Sequence, residues 1–522
     1  MNELSQKKIL IMDCQTTAMH PSTGYLLQIG WCIVDPSSPQ VSNIEKWTLK
    51  LPRAEVVPSK IKKMLHLTDE ELNNSVEPKT VFNQFQHALN ELGSEPIVIA
   101  HYAQFEKSFL KKFYSDEAQT NDLNFKLFCS QKIAKRLLPR LPSHNLKAMA
   151  GYFKWPNTPK NEVHSHVSMT VLVWQHLFPK LLAENISCYT DLENWLDTKC
   201  SNKQFAPYEY NIERLARLNI SQKPGIYRMV AEDRTILYIG KASSLKSRVN
   251  SYFRGVRNRD RRKLEMLAQV WEIETIECDT PLEASLLESD EIKKWNPPYN
   301  VLLKSESRRL IFYNYDFTAH SETKDSTFFN GPYKPYDVLV TLIDLCNALK
   351  TQVAIEYGNE CISPETLNSA WLLFCKMHHI ENTQINEWST RKLLLIGCKL
   401  LKQFEMVHGK SSFQKWWLNE KKKNLEEELI LEEKIAHKMA RIFIRAAEIK
   451  RKCRMITRLY NSTLIIQSTQ KKLIVVDGQI MSETSLTSVA NQADTPFELH
   501  HYDRLSILLS ALNNKIVTLV TP

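Results

Sequence analysis

No two of the 11 cysteines in this 522-residue chain form a C-x-x-C pair. Their scatter excludes a zinc ribbon and offers no disulfide framework. No apolar run approaches the length that a membrane-spanning helix needs. The N-terminus, Met1 to Lys8, opens onto a short strand without a signal-type apolar core. A soluble, cytoplasmic protein with no membrane partner is therefore expected. The connector from Ala183 to Gln222 lacks the Gly/Ser richness of a flexible linker, so its flanking domains are expected in a defined relation. The chain is too long for one core, which calls for several domains. A formal net charge of +10 and a pI near 8.9 suit a polyanionic partner.

One stretch organises the rest. Pro224 to Met229 and Ile236 to Lys241 are apolar runs flanking Ala231 to Thr235, which reads as a β-hairpin with a longer loop. Gly240 is expected to let the backbone turn sharply out of the second strand. Leu245, Val249, Tyr252 and Phe253 then recur at helical spacing, with Lys246, Arg248 and Arg254 on other faces. A second helix starts in Thr280 to Glu288, and Lys293 to Asn300 closes the unit. Between them Arg254, Arg257, Arg259, Arg261, Arg262 and Lys263 crowd together. They are either a solvated loop or, beside a nuclease site, phosphate contacts. Phosphodiester hydrolysis needs a base for water, a cation for the phosphorane and a metal for the leaving oxygen. A phenol, an arginine and a carboxylate can fill those roles.

With these residues in order, Ser221 to Leu303 resembles the GIY-YIG nuclease domain at the N-terminus of the UvrC and Cho excision-repair endonucleases. The resemblance implies Tyr238 as general base, with Tyr227 orienting it or the water. It implies Arg248 on the scissile phosphate, Lys241 assisting, and Tyr252 and Asn300 lining the site. Glu288 would be the sole carboxylate ligand of one Mg²⁺ (or Mn²⁺), an ion that keeps several waters. Further implied are a damaged DNA duplex as substrate, a UvrA/UvrB-type recognition complex as partner, and one incision 3′ to a lesion in bacterial nucleotide excision repair. The implied products carry 5′-phosphate and 3′-hydroxyl ends. UvrC's second nuclease domain and a tandem helix-hairpin-helix signature are not found in the sequence. Cys346, Cys361 and Cys375 are too dispersed for a metal cluster of that family's kind.

Upstream, Lys8 to Asp13 reads as a buried strand, Leu26 to Val34 as a second, and Pro96 to Glu106 as a strand running into a helix. Leu141 to Met149 reads as a capped helix. His164 precedes the helical run Val171, Leu172, Trp174 and Leu177. From about Lys7 to Leu182 this layout resembles a DnaQ-like, DEDDh-type 3′–5′ exonuclease, which uses four carboxylates, two metals and a histidine base. The carried-over pattern is degenerate. Asp13 keeps the first position, Gln15 replaces a glutamate, Glu106 replaces an aspartate, His164 matches the base, and Met169 stands where the last aspartate belongs. A thioether does not hold Mg²⁺. The domain is expected to keep its fold for holding DNA, docking or scaffolding, with no metal of its own.

The expected fold is α/β and multidomain. It comprises a ribonuclease H-like exonuclease domain (1–183), a connector (184–220), a small α/β GIY-YIG domain (221–304), a mostly helical UvrC/Cho-like extension (305–412), a long charged helical region (413–455) and a small α/β cap (456–522). In the cap, His500-His501 reads as a surface pair. Two other functions stay open. One is a replication-linked 3′–5′ proofreading exonuclease like the epsilon subunit of DNA polymerase III, and the other is a non-catalytic DNA-binding adaptor.

Overall fold

The computed structural model describes residues 4–520, apart from 42, 54, 156–161, 199–206, 255–259, 302, 304–307, 358–359, 382–387, most of 410–428, and 482–496. Arg257, Arg259 and the acidic run Glu426-Glu427-Glu428 lie outside the described residues. The chain divides into two compact units, Met1–Ala284 with Trp295–Val301 and Ser285–Lys294 with Leu302–Pro522.

In the first unit β1 (Ile9–Thr16), β2 (Leu26–Val34) and β3 (Glu45–Thr48) form an antiparallel run. Two short helices, α1 (Ser59–Met64) and α2 (Asp69–Asn73), and a longer α3 (Pro78–Asn90) follow. Then β4 (Ile97–Ala100) lies parallel to β1, α4 (Ala103–Ala118) crosses over, and β5 (Lys126–Cys129) lies parallel to β4. The sheet order is β3-β2-β1-β4-β5. After it come α5 (Ser130–Leu137), α6 (Leu146–Tyr152), α7 (Val163–Ala183) and α8 (Tyr189–Asp197).

Strand periodicity explains the two cores. Odd residues Ile9 and Ile11, with Ile97 and Ile99, join Ile133, Met149, Val167, Trp174 and Leu177 from α5, α6 and α7. Even residues Leu10, Met12 and Cys14, with Val98 and Ala100, join Val81, Phe85 and Leu89 of α3 and Leu110 and Phe113 of α4. A strand buried on both faces reads as a continuous apolar run, which Ile9 to Met12 is. Asp13 and Gln15 continue the odd face and so point toward α7.

A short α9 (Arg214–Leu218) leads into β6 (Gly225–Val230) and β7 (Ile236–Ala242), with β8 (Glu272–Glu277) on the other side of β6. Between β7 and β8 run α10 (Leu245–Ser251) and α11 (Arg261–Ala268). Tyr227, Met229, Leu237, Leu245, Val249 and Leu267 make the small core of this sheet. It meets the N-terminal fold through α6. Asn145 donates to Glu265 on α11, Trp271 Nε1 donates to the Gly151 carbonyl at 3.0 Å, and Lys154 lies over the Trp271 ring. The helix α12 (Pro281–Trp295) begins in the first unit, while its middle belongs to the second.

The second unit carries a three-stranded sheet of β9 (Ile311–Tyr313), β10 (His320–Ser321) and β11 (Asn330–Tyr333). Helix α13 (Asp337–Thr351), the small hairpin β12 (Ile355–Tyr357) and β13 (Glu360–Ile362), α14 (Pro364–Met377), α15 (Thr390–His408) and the long α16 (Leu431–Leu459) follow. The helices share one core around Leu342, Trp371, Phe374, Leu394 and Phe443. The C-terminal cap pairs β14 (Ser462–Ile466), β15 (Lys472–Val476) and β16 (Gln479–Met481) with β17 (Val517–Val520), and carries α17 (Leu499–Asn513). Here the expected surface pair His500-His501 is corrected. His501 is buried, because α17 starts at Leu499 and turns residue 501 inward with Tyr502 and Leu505. Among the described residues no helix is long and apolar enough to cross a membrane.

Gly30 stands opposite Asp13, and a β-carbon there would lie 2.3 Å from Val163 Cγ1 at the start of α7. The missing side chain sets how closely α7 approaches the sheet. Gly30→Ala is expected to destabilise the first unit by about 1–3 kcal/mol, and Val163→Ala in the same chain to return part of it. An unchanged denaturant midpoint in the single variant would remove Gly30 from this role.

Candidate active site

The antiparallel register places Tyr227 opposite Gly240 and Met229 opposite Tyr238. Tyr227 and Tyr238 are therefore diagonal neighbours on one face of the hairpin, with ring centres 6.1 Å apart. Gly240 lies inside β7 and does not end it, which corrects the expected turn. Its role is close approach, since a β-carbon there would sit 2.3 Å from the Tyr227 hydroxyl oxygen and 2.5 Å from Cζ.

A third ring completes the cluster. Tyr252, at the end of α10, lies 6.0 Å from Tyr227 and 6.4 Å from Tyr238, centre to centre. Its hydroxyl is 2.9 Å from that of Tyr227. Arg248 stands one helical turn before Tyr252, lies over its ring, and donates to its hydroxyl at 3.4 Å. Tyr227 is fully buried, and burial above all, then the Tyr252 and Tyr238 phenols, pushes its pKa far up. Its phenol stays protonated. Tyr238 is half-buried and Lys241 is exposed.

Asn300 is tied to the backbone of β7. It is buried, its Oδ1 accepts from the Ile239 amide at 3.0 Å and its Nδ2 donates to the Ile239 carbonyl at 2.9 Å. It completes the outer edge of β7 between Tyr238 and Gly240. Glu288 lies on α12, within the stretch that belongs to the second unit.

Arg254, Arg261, Arg262 and Lys263, the described members of the basic stretch, are all exposed. Arg262 donates to the Pro298 carbonyl at 2.8 Å and faces the Tyr299 ring, while Arg261 borders a cleft in the N-terminal fold.

That cleft, about 770 Å³, is lined by Asp13, Gln15, His101, Glu106, Lys135 and His166 among others. His166 takes the place expected of His164. Its Nδ1 is 3.2 Å from both Asp13 carboxylate oxygens, and Gln15 Nε2 donates to Asp13 Oδ2 at 2.9 Å. Because α7 begins at Val163, residue 164 turns to solvent and residue 166 toward β1. Met169 is fully buried and does not line the cleft. Only a helix start fixed to within one residue would have separated His164 from His166. Glu106 is 3% exposed, and burial first, then Asp13, pushes its carboxyl well above the usual range. Asp13 is thus engaged by an amide and a ring, with Glu106 lining the same cleft. Among the described residues no group of three or more His, Cys, Asp or Glu side chains is arranged to hold a metal. The residues do not fit a two-metal site.

Residues 223–301 match the UvrC-like GIY-YIG domain family, and the chain contains a domain of that type. Over larger spans it is similar to a putative bifunctional exonuclease/endonuclease protein of Mycobacterium tuberculosis, 26% identical over 47% of this chain and 36% of that protein. It is also similar to UvrABC system protein C of Clostridium acetobutylicum, 33% identical over 26% of this chain and 22% of that protein. The chain therefore spans well under half the length of either relative. Among solved structures, the magnesium-bound GIY-YIG domain of UvrC from Thermotoga maritima is 33% identical, with a TM-score of 0.15, over 17% of this chain and 94% of that one. Exonuclease X in complex with 5′-overhanging duplex DNA is 15% identical, with a TM-score of 0.26, over 34% of this chain and 93% of that one.

Asn300→Ala leaves a buried N–H and C=O of Ile239 without partners. The expected cost is about 1–3 kcal/mol, with faster hydrogen exchange at the Ile239 amide; an unchanged exchange rate would rule this latch out. His101 gives a pH signature. Burial holds its imidazole at about 4 against an ordinary 6.5, even though Nε2 donates to the His144 carbonyl. The folded pKa is depressed, so the neutral ring's contribution is complete above the unfolded value. It is lost as pH falls from there through the folded value, on the order of 3 kcal/mol in full. His101→Phe should flatten stability over that window, and an unchanged slope would exclude His101 as its source.

Proposed function

We propose that this chain is a metal-dependent DNA endonuclease that incises the damaged strand 3′ to a lesion in bacterial nucleotide excision repair. The observation that carries the reading is the bonded set of Tyr227, Tyr252 and Arg248, with Tyr238 diagonal to it, inside a stretch that matches the UvrC-like GIY-YIG domain. The relatives named UvrABC system protein C support a partner of the UvrA/UvrB type.

In this reading Tyr238 is the base. Tyr227 is fully buried and its phenol stays protonated, which suits an orienting group and not a proton acceptor. The half-buried Tyr238, as its phenolate, takes a proton from water, and the water oxygen attacks a phosphorus whose non-bridging oxygens face Arg248, while the departing O3′ takes a proton from solvent. The bond from phosphorus to O3′ breaks, leaving a 5′-phosphate and a 3′-hydroxyl. Lys241 adds positive charge beside the phosphate. Glu288 would hold one Mg²⁺ (or Mn²⁺). A single hard carboxylate suits an ion that keeps its waters and shares phosphate oxygens. When bound, that ion supplies charge for the departing oxygen. Exposed Arg254 and Lys263 contact flanking phosphates. Residues 1–183 are read as a ribonuclease H-like, exonuclease-type domain retained without exonuclease chemistry, since Gln15 and His166 occupy the surroundings of Asp13.

The test is incision of an end-labelled duplex carrying one bulky adduct, with Mg²⁺, in the presence and absence of a UvrA/UvrB-type loader. Tyr238→Phe should lower the rate roughly 10²–10⁴-fold, and Arg248→Ala roughly 10²–10³-fold. Glu288→Ala should abolish the discrete 3′ product, and Asp13→Ala should leave it intact. A ladder shortening from the 3′ end and lost in Asp13→Ala would instead make the N-terminal domain the nuclease. Absence of cleavage by the wild type in both conditions would leave a DNA-binding adaptor.

A further inference from the structure

In the second unit, two carboxylates are surrounded by more cations than they can neutralise. Buried Asp503 on α17 takes Lys293 at 3.0 Å and both guanidinium nitrogens of Arg308. Asp290 takes Arg504 through Nε and Nη2, each at 2.9 Å. Two further lysines reach the same turn of α17. The Tyr502 hydroxyl donates to the Lys334 carbonyl at 2.7 Å, and Lys452 Nζ lies 5.0 Å from the centre of the Tyr502 ring. The Lys334 ammonium nitrogen is buried and has no hydrogen-bond acceptor among the described residues.

Among the described residues, five cations thus gather round these two carboxylates. An ion network built only to hold the fold would give each buried donor an acceptor, because an unpaired buried charge is destabilising. With Glu498 beside His500 counted, five cations still face three carboxylates among the described residues. The groups are two lysine ammoniums without carboxylates beside an arginine and a third lysine already turned inward. Ammonium and guanidinium donors converging from several elements suit an oxyanion with several acceptor oxygens. Burial, then Arg308, lowers Lys334 to about 8, and burial lowers Lys452 and Lys293 against the opposing pull of Asp503.

We propose that Lys334, Lys452, Lys293 and Arg308 form a binding site for a phosphate group, either a nucleic-acid backbone phosphodiester or a free phosphate. The site rests on the second unit alone and not on the nuclease reading.

Two arms on the full chain distinguish the sources. In the first, thermal midpoints are compared in inorganic phosphate and in chloride at matched ionic strength. In the second, binding of a short undamaged duplex is followed by fluorescence anisotropy across a salt series. Lys334→Met and Lys452→Met are run beside wild type, with exposed Lys63→Met as control and Lys334→Arg as rescue. Wild type is expected to gain a higher midpoint in phosphate that Lys334→Met lacks, although Lys334→Met is at least as stable in chloride. For a backbone phosphate, each variant also makes the log–log salt slope shallower by about one, and Lys63→Met does so less. A phosphate-specific midpoint without a slope change assigns the site to free phosphate. If wild type and both variants agree in both arms, the proposal is overturned. Glu288→Ala that loses incision but keeps the phosphate response separates this site from the nuclease reading.

Discussion

Tyr227 lies against the backbone of Gly240, so close that any β-carbon at residue 240 would overlap its hydroxyl. That contact fixes most of what surrounds it. With no side chain at 240, the Tyr227 ring leans across β7 and its hydroxyl reaches Tyr252 on α10. A buried hydroxyl is costly without a partner, so the position of α10 relative to the hairpin is constrained by the same bond. Arg248 follows, because it shares one helical face with Tyr252. Asn300 holds the other side of β7 by pairing with both backbone groups of Ile239. Tyr238 is left between these two restraints as the least buried ring of the three, the position from which a phenol can exchange a proton with water.

The N-terminal fold rests on a similar device with a different outcome. Gly30 admits the start of α7 against β2, beside Asp13. The close approach brings His166 to the Asp13 carboxylate, where Gln15 already donates. A carboxylate whose oxygens face an amide donor and a ring nitrogen is satisfied within the protein. In both folds a glycine admits a close approach that brings polar side chains of facing elements together, and the residues placed at the meeting point differ.

Periodicity made much of this legible beforehand. The continuous apolar run Ile9 to Met12, the apolar runs flanking Ala231 to Thr235, and the helical spacing of Leu245, Val249 and Tyr252 all correspond to observed elements. What failed depended on phase or on close approach. His164 and His166 differ by a little over half a helical turn, so the start of α7 at Val163 decides which one faces the sheet. His501 depends on phase in the same way, since the start of α17 at Leu499 turns it inward. Gly240 was legible as a special residue but not as a space for a tyrosine, because the ring it accommodates lies on the neighbouring strand. Asn300 stood out in sequence, yet its bonds to Ile239 depend on a chain return that no local pattern encodes.

Charge is the property least readable by counting. The run from Arg254 to Lys263 looks like one basic patch, but Arg262 is bonded to the Pro298 carbonyl and Arg261 faces the N-terminal cleft. All four of its described members, Arg254, Arg261, Arg262 and Lys263, are nonetheless exposed. Conversely, Lys334, Lys452, Lys293 and Arg308 are separated by tens of residues and form no visible cluster in sequence, yet the fold gathers them around one turn of α17. A net charge of +10 is therefore divided between cations that serve as structural donors, cations on the surface, and a group gathered inside a single unit. The last group matters most for recognition, because a buried ammonium without an acceptor gains more from an arriving oxyanion than a solvated one does.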